Sequence, residues 1–302
     1  MKSNCLDKKF LVLLFSIIIF GLVILASASA PVGYAQFHDT YYFIRSQILF
    51  GLIPGLVVFY LCVKIKYDFW RKASLLIYFI SLILLVMVFI PGVGLTINGA
   101  QSWIAFFGYT FQPSEFSKLA VIILLSAYLS DPDRDLNNWK EGLVPVLLMI
   151  VPTIILIGLQ PDIGTLSILA LIIFIILFLS GVRRFYLAIL GLIAIVSFVI
   201  LLLIAPYRVQ RFTTFLHPEL DPKGVGYQIN QSFLAVASGG WWGLGYGQSK
   251  QKYQYLPEVQ ADSIFAILAE EMGFIISVIF ILSFIFLGLR GLKIAKGAPD
   301  KY

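Results

Sequence analysis

Eight runs of apolar residues, each about long enough to cross a bilayer, follow one another with only short polar breaks, and no water-soluble fold buries that much unbroken hydrocarbon. A crossing helix needs about 20 mostly apolar residues. Such runs stand at 10–27, 44–63, 74–91, 115–130, 143–160, 164–181, 185–206 and 263–289. With 60% hydrophobic and only 13% charged residues, the chain lies far from soluble averages. The expected fold is an all-α polytopic transmembrane bundle of about eight spans. It reads as one integral membrane domain over 1–302, with a long loop at 207–262 before the last span.

The first run follows Lys8 and Lys9 and ends in Ala26-Ser27-Ala28-Ser29-Ala30. That pattern also suits a signal peptide with a small-residue cleavage site, but the apolar part is long and a second run follows closely, which favours a retained helix. Cys5 and Cys62 offer neither a disulfide framework nor metal-ligand spacing. A net charge of +6 does not point to nucleic acid, because the basic residues are scattered between spans and form no stripe. They set topology instead. Lys64, Lys66, Arg71, Lys72, Arg134, Lys140, Arg183, Arg184, Arg290, Lys293 and Lys296 fall on one side, the expected cytoplasmic face, together with both termini. The alternate loops 28–43, 92–114, the turn at Pro161, and 207–262 then face outward.

Polar residues gather at those outer loops. His38 stands alone in the first and reads as an ordinary loop residue. In the second, Trp103 suits an interfacial anchor, and Pro113-Ser114 suits a helix start. Glu115 and Lys118, three residues apart, can simply pair; alternatively the helix N-terminus and Lys118 together attract an anion. Asp162 has the place of a helix cap or of a site carboxylate. Arg208 and Arg211 break the positive-inside trend and, on one helix face, suit a pyrophosphate or lipid headgroups. The glycine-rich run 226–247 is too polar to span and is expected to fold back onto the outer face. Asp262, at the start of the last span, suits an N-cap on residue type alone. Glu270 and Glu271 lie about 12 Å deeper at ~1.5 Å per residue. Carboxylates at that depth require a partner or a wet cavity, with Lys118 a candidate partner.

Gly99-Ala100 with Trp103, then FQPSEFSKLA, QPDIGT, GYQINQS, ASGG, YLPE and AEEMGF occur in one order over nearly the whole chain. This series resembles the SEDS family of peptidoglycan glycosyltransferases, the FtsW and RodA proteins, and the link 247–253 is more similar to the FtsW type. The resemblance implies a polymerase of lipid II, the undecaprenyl-pyrophosphate-linked disaccharide peptide, in the cytoplasmic membrane. Asp262 then matches the family's essential aspartate. Trp103, Glu115 and Lys118 match positions around the family's cavity, and Asp162 and Glu271 match further family positions. Departures are Gln101-Ser102 where the family has basic residues and Ala261-Asp262-Ser263 where it reads TDF. The family has ten spans, so two C-terminal helices are expected beyond Tyr302.

A diphosphate-linked sugar carries a good leaving group, so the expected chemistry is an inverting transfer with Asp262 as base and Lys118, Arg208 and Arg211 facing the diphosphate. A divalent cation, magnesium or manganese, is a candidate cofactor. The implied partners are lipid II, membrane lipids and, by resemblance, a class B penicillin-binding protein with other division proteins. The runner-up function is a lipid II flippase, which would show broken helices and polar groups near midplane. A third reading, a non-catalytic anchor for a transpeptidase, leaves Asp262 and Lys118 without a task.

Overall fold

The computed structural model describes residues 7–97, 99–106, 109–204, 206–222, 224–298 and 302. Helices occupy all eight apolar runs. They are α1 (Lys8–Phe37), α2 (Tyr42–Ser46) continuing through a π-helical turn (Gln47–Leu52) into α3 (Ile53–Lys64), α4 (Tyr67–Met87), α5 (Pro113–Leu129), α6 (Leu143–Leu159), α7 (Ile163–Leu179), α8 (Arg184–Ile204) and α11 (Ile264–Lys296). Three strands, β1 (Gly94–Ile97), β2 (Ala100–Phe106) and β3 (Tyr109–Phe111), follow α4, and α9 (Pro206–Leu216) and α10 (Val225–Gly239) lie between α8 and α11. Among the described residues, five segments, α1, α2 through α3, α4, α8 and α11, are long and apolar enough to cross a membrane, and α6 and α7 are shorter apolar helices. The chain is a multi-pass membrane protein.

The chain divides into two compact units, 1–61 with 207–299, and 62–206 with 300–302. In the second unit α5 is the central helix. Ser114, Ser117, Val121, Leu124 and Leu125 recur at helical spacing and are all buried, against α4, α6 and α7. Leu85, Val146, Ile157, Leu169 and Leu177 complete that core. Two side chains cross it to backbone groups: Gln160 Nε2 donates to the Leu85 carbonyl at 3.3 Å, and the Tyr78 hydroxyl donates to the Met149 carbonyl. The strands form an antiparallel sheet in the order β1-β2-β3 that leads into α5. Sequence reading left this segment as a loop, although Ser102 and Ile104 are buried while Trp103 points the other way, a period of two.

In the first unit α1, α10 and α11 pack through small residues, Ala28, Ala235 and Ala266 among them, the seam that lets membrane helices approach closely. That seam corrects the expected end of the first span. The Ala–Ser run, assigned to the end of a span and a loop, lies inside α1, which carries Pro31 within it and ends at His38 in the left-handed region. At the opposite end of the unit, Arg290 pairs with Asp7 at 2.6 Å. That guanidinium, helped by the Phe10 N–H, holds the Asp7 carboxyl below its ordinary value.

The run 226–247 packs along α11: α10 follows that helix from Gln228 beside Ser263 to Gly239 against the Ala269 carbonyl, leaving Phe233, Leu234, Trp241 and Trp242 exposed. Residues 240–245 then enter a break in α11 at Gly273, where φ is +78° and ψ 177°. The backbone groups freed by the break are recovered across it. Leu244 and Gly245 N–H donate to the Glu270 and Glu271 carbonyls at 2.9 and 3.0 Å, and Phe274 N–H donates to the Gly240 carbonyl at 2.9 Å. Irregular backbone at membrane depth survives only when paired in this way. A Cβ at Gly273 would stand 2.3 Å from the Gly243 nitrogen and 2.6 Å from the Trp241 carbonyl oxygen, backbone on both counts. Gly273→Ala is therefore expected to destabilise the protein by more than about 3 kcal/mol; a thermal midpoint in detergent equal to the parent's would refute the splice.

Candidate functional site

Two groups of polar side chains stand out, one in each unit. In the 62–206 unit, α5 and α7 both begin at the end that carries the sheet. Asp162 is the N-cap residue of α7: Oδ1 accepts from the Thr165 N–H at 3.0 Å and Oδ2 from the Thr165 hydroxyl at 2.8 Å. Its Oδ2 also accepts from Gln112 Nε2 at 3.0 Å, and Gln112 is the N-cap residue of α5. One carboxylate thus ties the starts of both helices together. One turn into α5, Lys118 Nζ lies 2.8 Å from Glu115, with the lysine side chain 15% and the glutamate 56% exposed. Ser114 is fully buried, and its hydroxyl has no partner among the described residues. Trp103 is half-buried on β2, opposite Leu95 of β1, and β2 packs against α5. The structure thus gathers Trp103, Glu115, Lys118 and Asp162 at one end of this unit, where two helix N-termini present free N–H groups. Gln112, which sequence reasoning passed over, joins them.

In the other unit Asp262 is exposed, and its carboxylate has no hydrogen-bond or ion-pair partner among the described residues. It is not the cap that its position suggests, because the N-cap residue of α11 is Ser263, which makes no side-chain cap bond. The backbone around Asp262 is nevertheless held. Both neighbours, Ala261 and Ser263, donate N–H to the Glu258 carbonyl at 3.0 and 3.1 Å, and Gln228 Nε2 donates to the Ser263 hydroxyl at 3.1 Å. Glu258 itself has φ +50°, a conformation that costs free energy and turns the chain sharply. Leu256 and Val259, both buried, anchor the same turn. A carboxylate that is fixed by its backbone and unspent by its side chain is available to take a proton.

Glu270 and Glu271 are each 1% exposed and serve the re-entrant segment. The expected partner, Lys118, is paired with Glu115; the cation at Glu271 is Lys252, 2.8 Å away. Ser27 of α1 donates to both Glu271 oxygens at 2.7 and 2.8 Å, and Lys252 Nζ also reaches the Ser27 hydroxyl and the Gly247 carbonyl. Glu270 accepts from the Ser249 hydroxyl and the Lys250 N–H. Adjacent carboxylates thus clamp residues 247–252, the segment that leads to Asp262. Sequence reasoning missed Lys252, whose only signal was the need of a buried glutamate for a cation.

Arg211 is exposed on α9 and forms no ion pair among the described residues. The Arg208 side chain lies outside the described part of the chain. No three His, Cys, Asp or Glu side chains cluster as a metal site among the described residues.

A polytopic helical membrane protein with a re-entrant segment and outlying carboxylates defines a narrow class. Residues 7–302 match the family model FtsW/RodA/SpoVE, described as cell cycle protein. The chain is 41% identical over 301 residues to stage V sporulation protein E of Bacillus subtilis, covering 100% of this chain and 82% of that one. It is 38% identical to "Probable peptidoglycan glycosyltransferase FtsW" of Trichlorobacter lovleyi, over 98% and 77% of the two chains. A solved structure described as "Structural coordination of polymerization and crosslinking by a peptidoglycan synthase complex" superposes with TM-score 0.73 at 25% identity, over 99% of this chain and 80% of that one. The rod shape determining protein RodA of Thermus thermophilus shares the fold, with TM-score 0.66 at 22% identity, over 99% and 78%. This protein belongs to the FtsW/RodA/SpoVE family.

Proposed function

We propose that this protein polymerises lipid II into glycan strands at the outer face of the cytoplasmic membrane, for septal wall synthesis during division. It is an enzyme of the peptidoglycan glycosyltransferase class. The observation that carries the mechanism is the Asp262 carboxylate, exposed and without a partner among the described residues, on a turn whose backbone is fixed on both sides. Asp262 takes the proton of the acceptor GlcNAc hydroxyl as that oxygen attacks the anomeric carbon of the donor MurNAc. The bond to the lipid diphosphate breaks in the same displacement, and the α-linked donor becomes a β-linked product.

The departing diphosphate needs positive charge. Lys118, at a helix N-terminus, and Arg208 and Arg211 on α9 are proposed to supply it. Trp103 and Glu115 are assigned to the sugars, and Asp162 to holding the starts of α5 and α7. Glu271 acts from within, by fixing the segment that leads to Asp262. A divalent cation would add to the positive charge that the departing diphosphate needs. The proposed partner is a class B penicillin-binding protein, in keeping with the synthase complex whose fold this chain shares.

One observation favours a flippase instead: α11 is broken at Gly273 beside two deep glutamates, as transporter helices often are. Against it, both glutamates and the broken backbone are fully engaged. Proteoliposomes carrying lipid II in the inner leaflet separate the two readings. The expected result is no protein-dependent transfer to the outer leaflet; rapid transfer without polymer would establish the flippase.

A further inference from the structure

At the far end of α5 from Glu115 and Lys118, about 15–20 Å away at a rise of ~1.5 Å per residue, a cavity of about 530 Å³ opens in the 62–206 unit. Its rim carries Arg71 and Lys72 from the first turns of α4, and Arg134 from the loop after α5, with Asp68 and Asp131 as the facing carboxylates. Its floor is apolar, formed by Leu75, Leu124 and Met149 among others. The charges are not evenly spent. Arg134 is committed, 2.9 Å from Asp131 and with its guanidinium 3.7 Å above the Tyr128 ring. Arg71 and Lys72 form no hydrogen bond or ion pair among the described residues, although Arg71 is only half-exposed. The Asp131 carboxyl is held below its ordinary value chiefly by the Arg134 hydrogen bond, with the Arg71 charge adding to it. Arg71 lines the cavity.

Two uncommitted cations over an apolar floor, at the end of a membrane helix, match an amphiphile with a phosphate head. We propose that this cavity binds the phosphate headgroup of an anionic membrane lipid, its acyl chains lying against Leu75 and Leu124. The assignment is independent of the glycosyltransferase chemistry and concerns the opposite end of α5. Pre-committed Arg134 and Tyr128 shape the wall, while Arg71 and Lys72 contact the phosphate oxygens. A free phosphate ion would use the same cations but gain nothing from the floor.

Native mass spectrometry of the purified protein in detergent, titrated with phosphatidylglycerol and with phosphatidylcholine, tests this. Phosphatidylglycerol is expected to be retained in preference. Arg71→Gln/Lys72→Gln should weaken that retention about tenfold, and Arg183→Gln/Arg184→Gln, removing two exposed charges elsewhere, should not. Arg71→Gln alone breaks no bond among the described residues, so its partial loss guards against misfolding of the pair. Equal retention of phosphatidylcholine, an unchanged affinity in the double variant, or displacement by millimolar inorganic phosphate would each overturn the lipid site.

Discussion

Asp262→Ala is expected to lower lipid II polymerisation by about 10²–10⁴-fold, the range that a positioned general base supplies. Folding should be untouched, since the carboxylate holds no partner among the described residues and the turn is kept by the Glu258 carbonyl and by buried Leu256 and Val259. Asp262→Asn should fail equally, because an amide cannot accept the proton. Quantified glycan product, with the melting midpoint of each variant measured alongside, is the check. An inactive variant that also melts early would place Asp262 in the fold; an active alanine variant would remove it from the reaction.

Lys252→Met carries the largest expected effect on stability. It leaves Glu271 charged and enclosed, and breaking a buried pair from one side costs about 3–5 kcal/mol. Its side chain is 5% exposed and that of Glu271 0%, so water cannot substitute. Glu271→Gln should cost less, because an amide can still meet Ser27 and the lysine. Joining the two, Lys252→Met/Glu271→Gln, should recover part of the loss, a coupling that thermal denaturation in detergent can measure as a double-mutant cycle. Additive effects would mean that the pair is not the clamp described. Activity should fall with stability in the single variant, since residues 247–252 lead directly into the turn bearing Asp262.

Hydropathy located the spans because a bilayer demands long apolar runs whatever surrounds them. Helix ends were less legible, since they depend on packing. The Ala–Ser run reads as the exit of a span, yet its small residues are what let α1 meet α10 and α11, and the helix runs on to Phe37. The re-entrant segment was hidden by intermediate composition: its groups are satisfied by a break in a distant helix, and nothing local announces that pairing. Gly273 was the available hint, a glycine two residues after buried glutamates. Capping logic succeeded for Asp162, where Thr165 presents both an N–H and a hydroxyl, and failed for Asp262, where the helix starts one residue later than a cap requires. Residue type alone gave the two aspartates the same reading. Their surroundings give them different work, one spent on structure and one left free.

The decisive experiment is a time course of product formation by the purified protein, with the proposed class B penicillin-binding partner, from lipid II as sole substrate and no other polymerase present. β-linked glycan strands that lengthen with time, and that vanish in Asp262→Ala, are the expected product. Lipid II recovered unchanged from the parent protein with that partner, or strands formed equally by the alanine variant, would overturn the assignment.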